Sequence, residues 1–158
     1  MSTHKTEQGT AELVERVEHQ GEVLAVIVRA DFAKDGIEFF TPDHFSQQLA
    51  YMKRPAGHVI EAHEHNPVPR EVSYTREVLF VRSGRMRVDF YDADKCYLES
   101  RIVVGGDVIL LAVGGHGFEM LEESEIIEVK QGPYPGEEDK TRFSGVKACD
   151  VRVKGRKE

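Results

Sequence analysis

The chain has 158 residues, 40% of them hydrophobic, and carries 28 acidic against 21 basic residues for a formal net charge of −7. This length suits a single domain, and the composition is that of a soluble globular protein rather than a disordered or disulfide-dependent one. An acidic chain disfavours contacts with nucleic-acid phosphates, and no apolar run approaches the roughly 20 residues of a membrane span, so we expect neither partner.

The first predicted element is a short helix in an N-terminal extension, residues 1–21. Within Ala11–His19, the apolar residues Leu13, Val14 and Val17 make one short stripe at helical spacing. The start of the chain shows no apolar stretch typical of a secretory signal, so we expect a cytoplasmic protein.

From Glu22 onward, short β-rich runs recur about every ten residues and are separated by glycine turns. This spacing predicts an all-β domain over residues 22–135, and a jelly-roll barrel is the economical architecture because it encloses one small-ligand site. The predicted strands are Val23–Val28, Ile37–Phe40, Gln48–Lys53, His58–His63, Glu77–Arg82, Met86–Tyr91, Tyr97–Val104, Val108–Ala112, Phe118–Leu121 and Ile126–Lys130.

The stretch His63-Glu64-His65 is the most informative part of the sequence. Because side chains alternate along a strand, His63 and His65 would share a face and could bind one metal ion. Such a pair is also found as ordinary structural or surface histidines, so the pattern alone leaves both interpretations open. Glu61 would lie on the same face, where it could transfer protons or simply sit at the sheet edge.

A carboxylate and a third histidine complete a candidate metal site. Glu77 opens an apolar strand, where a carboxylate is costly unless it is paired or bound to metal, and Glu71 is its rival. His116 is the only histidine in the second half of the chain, and a turn histidine facing solvent is the alternative. Three imidazoles and one carboxylate suit Fe(II), Mn, Ni or Zn.

These residues resemble the two motifs of the cupin superfamily. The first motif is glycine, five residues, His-x-His, three or four residues, glutamate, six residues and glycine, and it is matched by Gly57, His63, His65, Glu77 and Gly84. The departure is the longer interval from Asn66 to Arg76. In the second motif Gly106 and Gly114 fit, whereas Ala112 replaces a proline, His116 comes one residue early, and Met120 stands near the place of an asparagine.

The resemblance implies a double-stranded β-helix, or jelly roll, with His63, His65, Glu77 and His116 as metal ligands. It implies isomerase, lyase or dioxygenase chemistry on a small polar metabolite, with Glu61 as a candidate base. Two alternatives remain: a metal-independent sugar-nucleotide isomerase or epimerase that uses its histidines as acid and base, and a noncatalytic ligand-binding cupin. Tyr51, Lys53 and Phe118 are candidate substrate-binding residues, and a loop around Lys130–Asp139 is a candidate lid.

The last predicted feature is a C-terminal tail, residues 136–158. Its alternating segment Cys149–Val153 could add a strand to the sheet of a second copy or, equally, to its own sheet, and we expect a homodimer. Neither Cys96 nor Cys149 belongs to a Cys-x-x-Cys pair, so both are expected to be free thiols.

Overall fold

The computed structural model describes residues 13–156, and within this range the chain is all-β. Two short 3-10 helices, Gly136–Asp139 and Ala148–Asp150, accompany the strands, and the described residues contain no helix that could cross a membrane. The strands are β1 (Val14–His19), β2 (Glu22–Val28), β3 (Gly36–Phe39), β4 (Ala50–Lys53), β5 (Glu77–Ser83), β6 (Arg85–Tyr91), β7 (Tyr97–Val104), β8 (Val108–Leu111), β9 (Gly115–Met120) and β10 (Glu125–Lys130).

The strands form three antiparallel sheets. A five-stranded sheet has the order β1-β2-β8-β5-β10, a three-stranded sheet has the order β7-β6-β9, and β3 pairs with β4 in a separate hairpin. The architecture is consistent with a β-sandwich, and the sheets of the described chain do not close into the barrel that the sequence predicted.

The main core lies between the five-stranded and three-stranded sheets. Ile27, Ile109 and Leu79 are aligned across β2, β8 and β5, and all three are buried. The three-stranded sheet contributes alternate residues of β6, Met86 and Val88 among them, to the same cluster. Alternation along the strands thus gives each sheet one apolar inner face, which buries most of the domain's aliphatic side chains.

One side of the sandwich is closed by a buried ion network. Arg29, just after β2, donates to Glu15 of β1 and to Asp107 of the β7–β8 turn, and Arg101 of β7 donates to the second oxygen of Glu15. Glu15 and Arg101 belong to the edge strands β1 and β7, so the network ties together two edges that lie in different sheets.

The helix predicted over Ala11–His19 is wrong in its described part. Residues Val14–His19 form β1, which pairs with β2 and has a register shift after Val17. A nine-residue helix is marginal in water, whereas pairing with β2 satisfies the backbone and buries Val17 in the core. Ala11 and Glu12 lie outside the described residues.

The strand predicted over His58–His63 is also absent from the structure. Residues 54–76 contain no strand, and Gly57 has a φ of +82°, which does not suit an extended strand. Almost every residue of this segment is exposed. Strand alternation therefore does not place Glu61 on one face with His63 and His65.

The C-terminal tail pairs with its own chain. The Ser100 amide donates to the Arg152 carbonyl and the Lys154 amide donates to the Ser100 carbonyl, each at 2.9 Å, which makes a parallel bridge between Ser100 and Val153. In this structure the tail thus adds to β7 of its own chain, which is one of the two pairings that the sequence left open; the other was with the sheet of a second copy.

Candidate functional site

A cleft of about 670 Å³ opens beside the edge strand β9. Its walls come from residues 73–75 and Glu77 before and at the start of β5, residues 112–118 after β8 and along β9, and residues 139–143 of the C-terminal segment. The cleft lies on the side of the sandwich away from the ion network, because β9 and β7 are the opposite edges of one sheet.

Glu77 is the buried carboxylate of this cleft. It is the first residue of β5 and is paired in register with Leu111 of β8 and Lys130 of β10. Its position shares a face with Leu79 and Val81, so its side chain points inward and the residue is only 6% exposed. A carboxylate buried in this way needs a partner.

His116 is the partner of Glu77. The His116 Nε2 atom lies 3.3 Å from Glu77 Oε2, and the imidazole side chain is 31% exposed. His116 is paired with Phe90, and the next inward residue of β9, Phe118, is paired with Val88. Phe118 lines the cleft, with its ring 5.3 Å from that of His116.

Positive charge around Glu77 keeps it ionised. The hydrogen bond with His116 is the largest influence and holds the pKa of Glu77 below its ordinary value of 4.5, against the opposing effect of burial. The nearby cations Lys140 and Lys130 act in the same direction, with the Lys130 Nζ atom 3.9 Å from Glu77 Oε1. At neutral pH the floor of the cleft therefore presents a carboxylate surrounded by positive groups.

The C-terminal segment is anchored over the cleft by Tyr91. The Tyr91 hydroxyl accepts a hydrogen bond from the Val146 amide at 2.9 Å, and the Tyr91 ring meets Phe143 edge to face at 5.0 Å. Gly115 allows this approach, because a Cβ atom there would lie 2.8 Å from Phe143 Cζ. Asp139, the end of the loop considered as a lid, accepts a hydrogen bond from Thr75 across the cleft at 3.0 Å.

His63 and His65 lie close to each other but are not grouped with Glu77 and His116. Their ring centroids are 5.4 Å apart, and the Nδ1 atom of His63 is 2.8 Å from the Glu61 carbonyl oxygen. Both are exposed, as is the rival ligand Glu71. In the part of the chain that the structure describes, no three His, Cys, Asp or Glu residues are grouped as a metal ion would require.

Two candidate substrate-binding residues lie away from the cleft. Tyr51 packs its ring on Phe32 at 5.0 Å in the cluster beneath the β3–β4 hairpin. Lys53, at the end of β4, pairs with Asp35 at 3.0 Å. Neither lines the cleft, because the hairpin packs on the outer face of the five-stranded sheet, whereas the cleft opens on the inner side.

Comparison with known proteins adds no assignment to this geometry, since no family model, curated protein or solved structure matches the chain. The interpretation of the cleft therefore depends on its own residues. Sequence reasoning missed several of them, including Tyr74, Tyr91, Lys140 and Phe143. Their only local signal was aromatic and basic composition near turns, which does not indicate a position in the fold.

Proposed function

We propose that this protein is a metal-binding, cupin-like protein that acts on a small polar metabolite in the cleft beside β9. The observation that carries the proposal is the contact between Glu77 and His116 on its floor. A carboxylate that is 6% exposed and an imidazole whose side chain is 31% exposed would supply one oxygen and one nitrogen ligand from strands of two different sheets.

His63 and His65 would complete the ligand set. They lie near each other in the exposed segment 54–76, and this segment continues directly into Glu77 through residues 73–75, which already line the cleft. Three imidazoles and a carboxylate are the donor set that Fe(II), Mn, Ni and Zn accept, so the residue types fit such an ion. Binding would require the segment to fold over the cleft mouth.

The proposed chemistry divides between the ion and the chain. A bound ion would polarise a carbonyl oxygen of the metabolite as a Lewis acid, or as Fe(II) would support dioxygen chemistry. Phe118 and Tyr74 supply apolar contact surface, while Lys130 and Lys140 favour a metabolite with anionic groups. The segment 139–143 forms one wall of the cleft and is held by Tyr91, so it would limit the access of water to the metabolite.

A second candidate function is a metal-independent sugar-nucleotide isomerase or epimerase. The specific observation in its favour is that Glu77 and His116 already contact each other at 3.3 Å. A carboxylate that orients an imidazole within hydrogen-bond distance is an arrangement suited to general acid–base catalysis. In this case His63 and His65 would have no role in the reaction.

The two functions are distinguished by metal content. We expect untagged protein, purified without chelators, to hold near-stoichiometric transition metal by mass spectrometry, and Glu77→Ala, His116→Ala and His63→Ala to lose most of it. His58→Ala is the matched control, because His58 is exposed in the same segment but is not part of the ligand set.

Loss of metal in the three ligand variants, with retention in His58→Ala, would support the metal centre. Protein that stays metal-free after anaerobic loading with Fe(II), Mn, Ni or Zn would exclude it. Acid–base chemistry at Glu77 and His116, or ligand binding without turnover, would then be the remaining candidates.

A further inference from the structure

The C-terminal segment runs from the cleft to the opposite edge of the three-stranded sheet. Its first part, residues 139–143, forms a wall of the cleft beside β9. It then passes Tyr91 at the end of β6, and residues 152–154 pair with Ser100 of the edge strand β7. We call residues 139–154 the strap.

Two tyrosines hold the strap through the same kind of contact. The Tyr91 hydroxyl accepts a hydrogen bond from the Val146 amide at 2.9 Å, and the Tyr97 hydroxyl accepts one from the Arg152 amide at 2.8 Å. Each ring also contacts a side chain of the strap. Tyr91 meets Phe143 edge to face, and the Arg152 guanidinium lies 5.4 Å from the centre of the Tyr97 ring. The strap is therefore attached at two separate points.

The two attachment points are in contact with each other. Tyr91 and Tyr97 are paired in register across β6 and β7, and their ring centroids are 5.8 Å apart. The Tyr97 hydroxyl also lies 2.8 Å from the hydroxyl of Ser100, which is fully buried and donates to Asp89. Displacing the strap at one tyrosine therefore disturbs the ring that holds it at the other.

The strap itself contributes little to the core. Its residues are all exposed or half-buried, and so are those of the 3-10 helix Ala148–Asp150 within it. Hydrogen bonds and ion pairs hold it instead, among them the pair of Lys154 with Glu99 at 2.6 Å. A segment with few buried apolar contacts opens at a smaller free-energy cost than the whole domain. This wall of the cleft can therefore open while the two sheets remain intact.

We propose that the strap opens and closes as one unit and thereby controls access to the cleft. In the closed state residues 139–143 bound the cleft, and in the open state that wall is withdrawn from β9. Tyr97 does not line the cleft, so it acts by holding the far end of the strap. A ligand that contacts residues 139–143 would favour the closed state, because it binds that state more tightly. The proposal does not depend on a metal ion.

Hydrogen exchange measured by NMR and cleavage by trypsin test whether the strap opens as one unit. Tyr97→Phe removes the acceptor of the Arg152 amide at the far end. We expect the Val146 amide, at the near end, to exchange about 2- to 10-fold faster in this variant, because the opening of a single unit is favoured by a lost contact anywhere along it. Trypsin should cut after Lys140 and Arg142, in the cleft wall, faster by a similar factor.

The controls separate the strap from the rest of the chain. Tyr134→Phe is the matched variant, because Tyr134 precedes the strap, is 65% exposed and bonds through its hydroxyl to no described residue. Its rates should equal those of the wild type. Cleavage after Arg70, in the exposed segment 54–76, is the internal reference for trypsin. The Leu110 amide of the core strand β8 reports opening of the whole domain.

Faster exchange at Val146 and faster cleavage of the cleft wall in Tyr97→Phe alone would support the proposal. An unchanged rate at Val146 would mean that the two ends open separately, and it would overturn the proposal. Faster exchange without faster cleavage would mean that the wall stays in place, and equal acceleration at Leu110 would assign the effect to the whole domain, so either result would overturn it too.

A second variant keeps the test decisive if Tyr97→Phe does not fold. Lys154→Ala removes the ion pair with Glu99, in which the Lys154 side chain is 60% exposed, so the fold should tolerate it. Lys147→Ala is its matched control, because Lys147 is an exposed lysine of the strap whose side chain pairs with no described carboxylate. The same rates at Val146, at the trypsin sites and at Leu110 then decide the proposal.

Discussion

Replacing Arg29 by methionine tests the ion network that closes one side of the sandwich. Arg29 is 3% exposed and donates to Glu15 at 2.8 Å, to Asp107 at 2.7 Å and to the Ile102 carbonyl at 2.8 Å. Methionine keeps an unbranched apolar stem of similar reach but removes every donor. The substitution therefore leaves two carboxylates without their central cation.

The expected cost follows from what those carboxylates retain. Removing one partner of a buried ion pair costs about 3–5 kcal/mol in general. Asp107 still accepts from the Ala30 and Val104 amides at 2.9 and 3.1 Å, and Glu15 still accepts from Arg101 at 3.0 Å. We therefore expect a cost at the low end of this range: the free energy of unfolding should fall by about 3 kcal/mol, which lowers the melting temperature by about 6–12 °C.

Urea unfolding of wild type, Arg29→Met and Arg142→Met measures this difference. Arg142 is a matched control because its ion pair with Glu137 is exposed, with side-chain exposures of 75% and 70%. Exposed pairs contribute about 0–1 kcal/mol, so the control should lie close to the wild type. If Arg29→Met lost no more than Arg142→Met, burial would not be what gives this network its strength, and the reasoning would be refuted.

Two further predictions concern the cleft. The pKa of Glu77 is lowered on folding, so its ionised form stabilises the protein above pH 4.5, and this contribution is lost as the pH falls through the folded pKa. In Glu77→Gln, the free energy of unfolding in urea should therefore differ less between neutral and acidic pH than it does in the wild type. A variant with the pH dependence of the wild type would count against the ion pair. Tyr91→Phe should remove the hydrogen bond to the Val146 amide, at about 0.5–1.5 kcal/mol, and speed proteolysis of residues 133–146, with equal cleavage rates arguing against the anchor.

Periodicity in the sequence predicted most of the strands because each contributes alternate residues to one core. Tyr97–Val104 was predicted with the bounds observed, and β2, β5, β6 and β8 differ by a residue or two at their ends. The two failures have a common cause. Val14–His19 and residues 58–63 are both weakly patterned, and whether such a segment forms a strand depends on a neighbouring edge, which local sequence does not indicate.

The candidate site was predictable where it depends on the first residues of regular strands. Glu77 and His116, both named from the sequence, meet because they lie near the starts of β5 and β9, strands of two different sheets. Tyr51 lies away from the cleft because its strand belongs to a hairpin on the other face of the sheet. The positions of Tyr91 and Phe143 depend on how the C-terminal segment crosses the fold, a tertiary property.

The location of the cleft follows from the unequal widths of the two sheets. Edges β1 and β7 are joined by Arg29, Glu15 and Arg101, whereas on the other side Phe118 and Met120 of β9 are 41% and 49% exposed. Polar residues are tolerated on this side of the sandwich, and Glu77 and His116 lie there as a mutually satisfied pair.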